Sequence, residues 1–263
     1  MIIEQVWTGN AYRNFNYLIA CPDTGEALAI DPLDAKRCVA RAADRGWRIT
    51  QLLNTHHHAD HIGGNTAVVR ETGAKILAHR DAARRIPNMD RGLVAGDTIK
   101  VGNLAPLRCL DTPGHTMSHI CLLADGDPPL LFSGDTLFNA GAGNCHNGGH
   151  PEALFETFRD QLYRLPSATR LYPGHEYLTN NLRFTLAYEP DNADAARLLE
   201  KIDGQDPNDP YVTTLEEEAR INTFFRLDTP TVIKSVVERF PEIGPTPDPK
   251  TVFMKLRELR NDW

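Results

Sequence analysis

Cysteine is scarce in this 263-residue sequence: five residues, Cys21, Cys38, Cys109, Cys121 and Cys145, form an odd, scattered set without CxxC spacing. That argues against a disulfide framework and a thiolate zinc site, and leaves most of these thiols as small buried apolar side chains. No apolar run approaches the ~18 residues that span a bilayer. The opening Met1-Ile2-Ile3-Glu4-Gln5 has no basic region followed by an apolar segment, so a secretory leader is not expected and a cytoplasmic setting without a membrane partner is. Positive charge is in deficit: 28 Lys and Arg stand against 35 Asp and Glu, a net charge of -7. Such a balance gives no general field for nucleic acid. Internal repeats and low-complexity segments are also missing. The hydrophobic content of 41% and charged content of 24% are those of an ordinary globular chain long enough for a sizeable core.

Histidine breaks the pattern. Thr55-His56-His57-His58-Ala59-Asp60-His61 follows the apolar residues Ile49, Leu52 and Leu53. Imidazoles and carboxylates removed from water need partners, and a cluster this dense points to a metal ion. If the strand stops near Asn54, the alternate residues His56 and His58 face one point while Asp60 and His61 turn toward a neighbouring one, and His57 points away. Gly63 and Gly64 then allow the chain to bend closely before a helix near Asn65.

Along the chain, short strands are expected at 2–7, 16–20 and 27–30, with a turn at Pro22-Asp23-Thr24-Gly25 and Asp31-Pro32 closing the third. A helix capped by Asp34 spans 35–45, the strand 49–53 delivers the histidine cluster, a helix covers 65–72, and strand 75–78 precedes His79, read as a surface or hydrogen-bonded histidine. Residues 92–101 read as a turn followed by a strand. Strand 107–110 leads into Pro113-Gly114-His115, which would place His115 on rigid backbone, with His119 the weaker ligand candidate. The apolar strand beginning at Leu130 ends in Asp135, costly to bury unless it binds something positive. After a core-facing helix at 151–165, Tyr172-Pro173-Gly174-His175 repeats the strand, Pro-Gly turn and histidine. Beyond Tyr172 only helical patterns remain, at 181–188, 193–202, 215–225, 231–239 and 251–260, which suggests a small helical domain.

Seven side chains thus converge: His56, His58, Asp60, His61, His115, Asp135 and His175. A single tetrahedral zinc needs only three protein ligands and a water. Two ions about 3.5 to 4 Å apart, sharing one carboxylate and one hydroxide, would use all seven. His56, His58 and His115 are assigned to the first ion, Asp60, His61 and His175 to the second, and Asp135 to the bridge. Zinc is the leading choice, while iron and manganese suit the same ligands. A hydroxide between two dications attacks an electrophilic carbonyl, so hydrolysis is expected.

Thr-His-His-His-Ala-Asp-His with Pro-Gly-His115, Gly-Asp135-Thr and Pro-Gly-His175-Glu resembles the metallo-β-lactamase superfamily, and within it the glyoxalase II (hydroxyacylglutathione hydrolase) family. The motifs agree across residues 1–190, and the helical remainder ending in Leu256-Arg257-Glu258-Leu259-Arg260-Asn261-Asp262-Trp263 is similar to that family's C-terminal domain. The resemblance implies an α/β fold: a four-layer αβ/βα sandwich at 1–179 and a helical C-terminal domain at 180–263 that contributes to the substrate site. It further implies hydrolysis of S-D-lactoylglutathione to D-lactate and glutathione, within methylglyoxal detoxification. A thiolate leaves without a strong general acid because its pKa is near ~8.5, and Asp60 would serve as ligand and orient the hydroxide.

One segment departs from the family. Where it commonly has Cys-Gly-Lys/Arg-Phe-Tyr after the bridging aspartate, this chain has Ala142-Gly143-Asn144-Cys145-His146-Asn147-Gly148-Gly149, without the positive charge or that tyrosine. Asn144 and His146 stand there instead. Tyr177 matches the family's second glutathione-contacting tyrosine, and Arg257 and Arg260 its C-terminal basic residues, although two arginines three apart on a helix also suit a solvated face. These five are the expected substrate-binding residues, and another acyl thioester could replace the glutathione one. The alternative is the similar persulfide dioxygenase branch, with one iron on two histidines and one aspartate. β-Lactam or phosphodiester hydrolysis and a non-catalytic binding module are the remaining readings.

Overall fold

The computed structural model describes residues 1–263. They divide into two compact units that alternate along the chain: residues 1–112, 118–134 and 172–176, and residues 113–117, 135–171 and 177–263. No helix is long and apolar enough to cross a membrane.

In the first unit, strands β1 (Ile2–Trp7), β2 (Phe15–Ala20) and β3 (Glu26–Ile30) pair antiparallel as the expected meander. Gly25, at φ 69°, makes the turn between β2 and β3, a conformation that glycine adopts without steric cost. β3 then pairs parallel with β4 (Arg48–Leu53), β4 with β5 (Lys75–His79) and β5 with β6 (Arg91–Leu93), completing a six-stranded sheet in chain order. Parallel neighbours require crossovers. Helix α1 (Ala35–Asp44) supplies the first, and α2 (Ala59–Ile62) with α3 (Asn65–Thr72) the second. Asp34 caps α1 by accepting from the Arg37 amide. Cys38 and Ala42 of α1 and Val68 of α3 pack on Leu18, Ala29, Leu52 and Ile76 of the sheet.

Residues 92–101 behave differently from expectation. Instead of one turn and one strand, β6 closes the first sheet and β7 (Thr98–Ile99) opens a second, because Gly96 at φ 84° and an Asp97 carboxylate accepting from the Val94 amide reverse the chain between them. β8 (Leu107–Asp111), β9 (Ile120–Ala124) and β10 (Leu130–Gly134) continue antiparallel from β7. Two short strands of the second unit, β11 (Leu137–Phe138) and β12 (Gly141–Ala142), form their own hairpin, and β13 (Arg170–Pro173) joins the second sheet beside β10. Tyr17 of β2 meets Phe132 of β10 edge-on at 5.4 Å, Phe132 stacks on Tyr172 at 5.1 Å, and the Tyr17 hydroxyl donates to the Pro173 carbonyl at 2.6 Å. The sheets are therefore packed face to face, and β2 is buried on both sides, its Leu18 and Ala20 turned instead toward the helices.

Gly64 shows how closely the histidine loop is held. A Cβ there would lie 1.9 Å from the Pro32 carbonyl oxygen and 2.6 Å from that of Leu33, both backbone atoms that cannot rotate away. Gly64→Ala is expected to cost about 2 kcal/mol or more, read as a fall in Tm of roughly 5 °C in thermal melts. An unchanged Tm would show that this approach is loose.

The second unit is helical apart from its hairpin. α4 (Pro151–Asp160) is shorter than the apolar stripe suggested, because Gln161 leaves the helical region and Leu165, preceding Pro166, is extended; a 3-10 turn, Leu162–Arg164, fills the gap. α5 (Leu178–Tyr188), α6 (Ala193–Lys201), α7 (Leu215–Ile221), α8 (Pro230–Arg239) and α9 (Pro249–Asn261) follow. α7 starts with a capping box of Thr214 and Glu217 and stops at Asn222, whose side chain caps the next 3-10 turn. Leu182, Ala195, Leu198 and Ile221 form one core, and Phe155, Phe158, Phe224 and Phe253 an aromatic one with ring contacts of 5.2 to 5.4 Å.

Glu218 of α7 is fully buried in this unit, and burial pushes its carboxyl up to about 7 despite the hydrogen bonds from Thr213, Asn222 and Ala140 that favour ionisation. A folded-state pKa raised above the unfolded one means that this group favours folding most below the unfolded value. That contribution falls as pH rises toward 7 and is level above it. In metal-free protein, wild-type stability relative to Glu218→Gln is expected to drop by roughly 3 kcal/mol between pH 4.5 and 7.5. Denaturant titrations at a series of pH values would detect this, and a pH-independent difference would contradict it.

Candidate metal centre

β4 delivers the histidine loop, and two asparagines staple its ends. Asn54 Nδ2 donates to the His61 carbonyl and to Asn65 Oδ1, both at 3.1 Å, while Asn65 Nδ2 returns a 2.6 Å bond to Asn54 Oδ1. Beneath the loop lies Asp31, 2% exposed and at φ 47°. Its Oδ1 accepts from the Thr55 amide at 2.8 Å, and its Oδ2 from the Thr55 hydroxyl at 2.6 Å and from His61 Nδ1 at 2.9 Å.

These bonds assign the tautomers. The single Thr55 hydroxyl proton goes to Asp31, so Thr55 Oγ1 accepts from His56 Nδ1 at 3.1 Å. His175 Nδ1 donates to the Tyr12 carbonyl at 2.7 Å, and in the second unit His115 Nδ1 donates to the Asn144 carbonyl at 2.7 Å. His56, His61, His115 and His175 therefore each carry a proton on Nδ1, which makes Nε2 the acceptor nitrogen, the arrangement that carboxylate and carbonyl partners impose on metal-binding histidines.

The separations suit cations. Within the first unit, His61 Nε2 lies 3.2 Å from His175 Nε2, and Asp60 Oδ2 lies 3.7 and 3.5 Å from them. His56 Nε2 is 3.0 Å from His58 Nδ1. A tetrahedral ion with ligands at ~2.0–2.1 Å has ligand atoms roughly 3.3 Å apart. Two lone pairs held at 3.2 Å repel each other unless a positive charge lies between them. Asn14, buried, donates through Nδ2 to the Asp60 carbonyl and Oδ2 at 3.1 and 3.3 Å, fixing that carboxylate. Arg13 grips Glu176 through its side chain and carbonyl, bracing the segments that carry Tyr12 and His175.

Of the seven expected ligands, the first unit holds His56, His58, Asp60, His61 and His175. The second holds His115 and Asp135, whose Nε2 and Oδ2 are 3.5 Å apart. His57 belongs to neither set: half-buried, its Nδ1 faces Ser118 Oγ at 3.3 Å, and burial, with His58 and Arg85 nearby, pushes its pKa down to about 4. His119 is buried, stacked on His56 at 5.2 Å and bonded to Thr112. His79 is buried and accepts from the Asp81 amide. Asp31, Asn14 and the Tyr12 carbonyl were missed from the sequence. Asp31 carried a usable signal, a carboxylate directly after a buried strand, as Asp135 does.

In the second unit, Asn144, His146, Tyr177, Arg257 and Arg260 line one cavity of about 250 Å³ with Phe138 and Trp263. Neither arginine is part of a solvated face. Arg257 is 3% exposed, its Nη1 donates to the Ala142 and Gly143 carbonyls at 2.8 and 3.0 Å, and burial, with Arg260 close by, pulls it down to about 10. Arg260 Nη2 donates to Asn181 Oδ1 at 3.0 Å. The Tyr177 ring meets Phe138 edge-on at 5.2 Å.

Comparison with known proteins agrees along the whole chain. Residues 16–175 match the profile of the metallo-beta-lactamase superfamily, and residues 176–263 that of the hydroxyacylglutathione hydrolase C-terminus. A hydroxyacylglutathione hydrolase of Nitrosococcus oceani is 64% identical over 263 residues, covering 100% of both chains. Among solved structures, ETHE1 from Myxococcus xanthus superposes with a TM-score of 0.67 at 25% identity, covering 99% of this chain and 98% of its own. TTHA1623 in a di-iron-bound form gives 0.59 at 26%, covering 84% and 98%. Membership of this superfamily implies divalent metal binding, and the chain has groups of His and Asp side chains that could hold such an ion. By these matches the chain belongs to the hydroxyacylglutathione hydrolases, within the metallo-beta-lactamase superfamily.

Proposed function

We propose that this protein hydrolyses the thioester of a hydroxyacylglutathione, S-D-lactoylglutathione first among them, releasing the hydroxy acid and glutathione. Its full-length identity to a hydrolase of that name is the observation that carries the reading. In this proposal His56, His58 and His115 would hold one ion, Asp60, His61 and His175 would hold a second, and Asp135 would serve both. Zinc is the preferred metal, and the di-iron form of TTHA1623 keeps iron in view. Divalent ions bound there would supply an acidified water and a Lewis acid for the thioester carbonyl. The chain's own groups do the rest: Asp31 sets His61, Asn14 sets Asp60, and Tyr12 and Asn144 set His175 and His115 through their carbonyls.

Residues 1–179 are proposed as the catalytic domain and 180–263 as a helical domain that contributes to substrate binding, in a cytoplasmic protein. The cavity lined by Tyr177 and Arg260 is proposed for the glutathione moiety. Arg257 shapes it rather than binding directly, because its donors are committed to Ala142, Gly143 and Asn261. Arg260, with Asn144 and His146 at the exposed edge, is left to meet a carboxylate.

Steady-state kinetics on a panel of acyl thioesters, with elemental analysis of the same sample, test the proposal. It predicts hydroxyacylglutathiones as the best substrates; a metal-loaded protein inert toward every thioester would overturn it. The persulfide dioxygenase alternative has only the 25% identity to ETHE1 in its favour, and oxygen uptake with glutathione persulfide would reverse the choice.

A further inference from the structure

The hairpin between Asp135 and Asn144 is gripped by the helices of its own unit. Ala140, at its turn, has φ 56°, a conformation that costs a non-glycine residue about 1 kcal/mol or more. Its amide donates to both Glu218 oxygens, at 2.9 and 3.1 Å. Thr213 accepts from Asn139 Nδ2 at 2.7 Å and donates its own proton to Glu218 at 2.6 Å, and Asn222 Nδ2 donates to Glu218 at 2.8 Å and to the Gly141 carbonyl at 3.3 Å. α5 adds Asn181, donating to the Asn139 carbonyl, and α9 adds Arg257 on Ala142 and Gly143. Three neutral donors thus end on one buried carboxylate. The nearest charge on its own helix is Glu217, and Arg257 is the charged group that grips the hairpin from α9.

Movement of this hairpin reaches both metal-facing residues of the unit. A Cβ on Gly143 would lie 1.9 Å from the Asp135 carbonyl oxygen and 3.3 Å from the His115 Cβ, and the next carbonyl, Asn144, orients His115. We propose that Glu218 is a positioning residue: its ionised carboxylate holds the 139–142 turn so that Asp135 and His115 keep the setting in which they grip metal. The inference rests on the metal-dependent reading above. It explains why a carboxylate that burial pushes up to about 7, and that costs stability when ionised, occupies this core.

Glu218→Gln imitates the protonated acid in shape. Zinc affinity of wild type and variant, measured by competition with a chromogenic chelator from pH 6 to pH 8.5, isolates the charge, since the two proteins carry the same ligands and differ only at residue 218. Equal affinities at pH 6 and about tenfold tighter binding by wild type at pH 8 are expected; a gap that is absent, or constant with pH, overturns the proposal. Thr213→Val provides a second test should the glutamine variant not fold. With one donor lost, the pH at which wild-type-like affinity is reached should rise, and an unmoved profile contradicts the role. Failure to hydrolyse thioesters would sink the functional reading alone, because the affinity comparison needs no turnover.

Discussion

Asp135→Ala is expected to abolish thioester hydrolysis and to remove at least one metal equivalent from the protein. Asp135 follows β10 directly, is 6% exposed, and holds Oδ2 3.5 Å from Nε2 of His115. In the proposed centre it is the one group shared by both ions, so its loss removes a ligand from each and the negative charge that keeps two dications close. Alanine leaves the strand and its following turn intact, so circular dichroism should match wild type while elemental analysis and turnover fall together. Unchanged turnover would remove the bridging role.

Asp31→Asn should give the largest effect of any residue that does not touch metal. The φ of 47° at this position suits asparagine, so the backbone survives the change. The hydrogen bonding does not. Three donors, the Thr55 amide, the Thr55 hydroxyl and His61 Nδ1, converge on the carboxylate, and an amide presents one oxygen and an NH2 group that itself donates. His61 then loses the partner that keeps its proton on Nδ1 and its lone pair on Nε2. Metal affinity is expected to fall about 10- to 100-fold, read by chelator competition; wild-type affinity in a folded variant would show that Asp31 does not orient His61.

Much of the site could be read from the sequence because its side chains share one local grammar: a buried strand, then the donor, either directly after it or just past a short turn. His56, His115, Asp135 and His175 all obey it. Asp31 obeys it too, but Pro32 after it suggested a strand end and no more. Asn14 and the carbonyls of Tyr12 and Asn144 leave no mark in a sequence, since any residue supplies a carbonyl and asparagine is ordinary in turns. Glu218 was hidden in Glu216-Glu217-Glu218, which looks like a solvated helix start; only its place three residues after buried Leu215 turns it inward.

The fold errors have similar causes. At Gln161 and Asn222 the helices stop, yet the apolar pattern continues because a 3-10 turn keeps side chains three apart on one side. At 92–101 the same turn chemistry serves whether the chain returns within a sheet or passes to another. Even so, the meander, the crossover helices and the run of C-terminal helices followed from period and capping alone.

The most direct measurement is thioester turnover as metal is returned to stripped protein. Hydrolysis of S-D-lactoylglutathione should be lost on removal of metal, return as ions are added, and level off at about two equivalents per chain. Full turnover by the stripped protein, or turnover that ignores added zinc, iron and manganese, would contradict a reaction carried out at His56, His58, Asp60, His61, His115, Asp135 and His175.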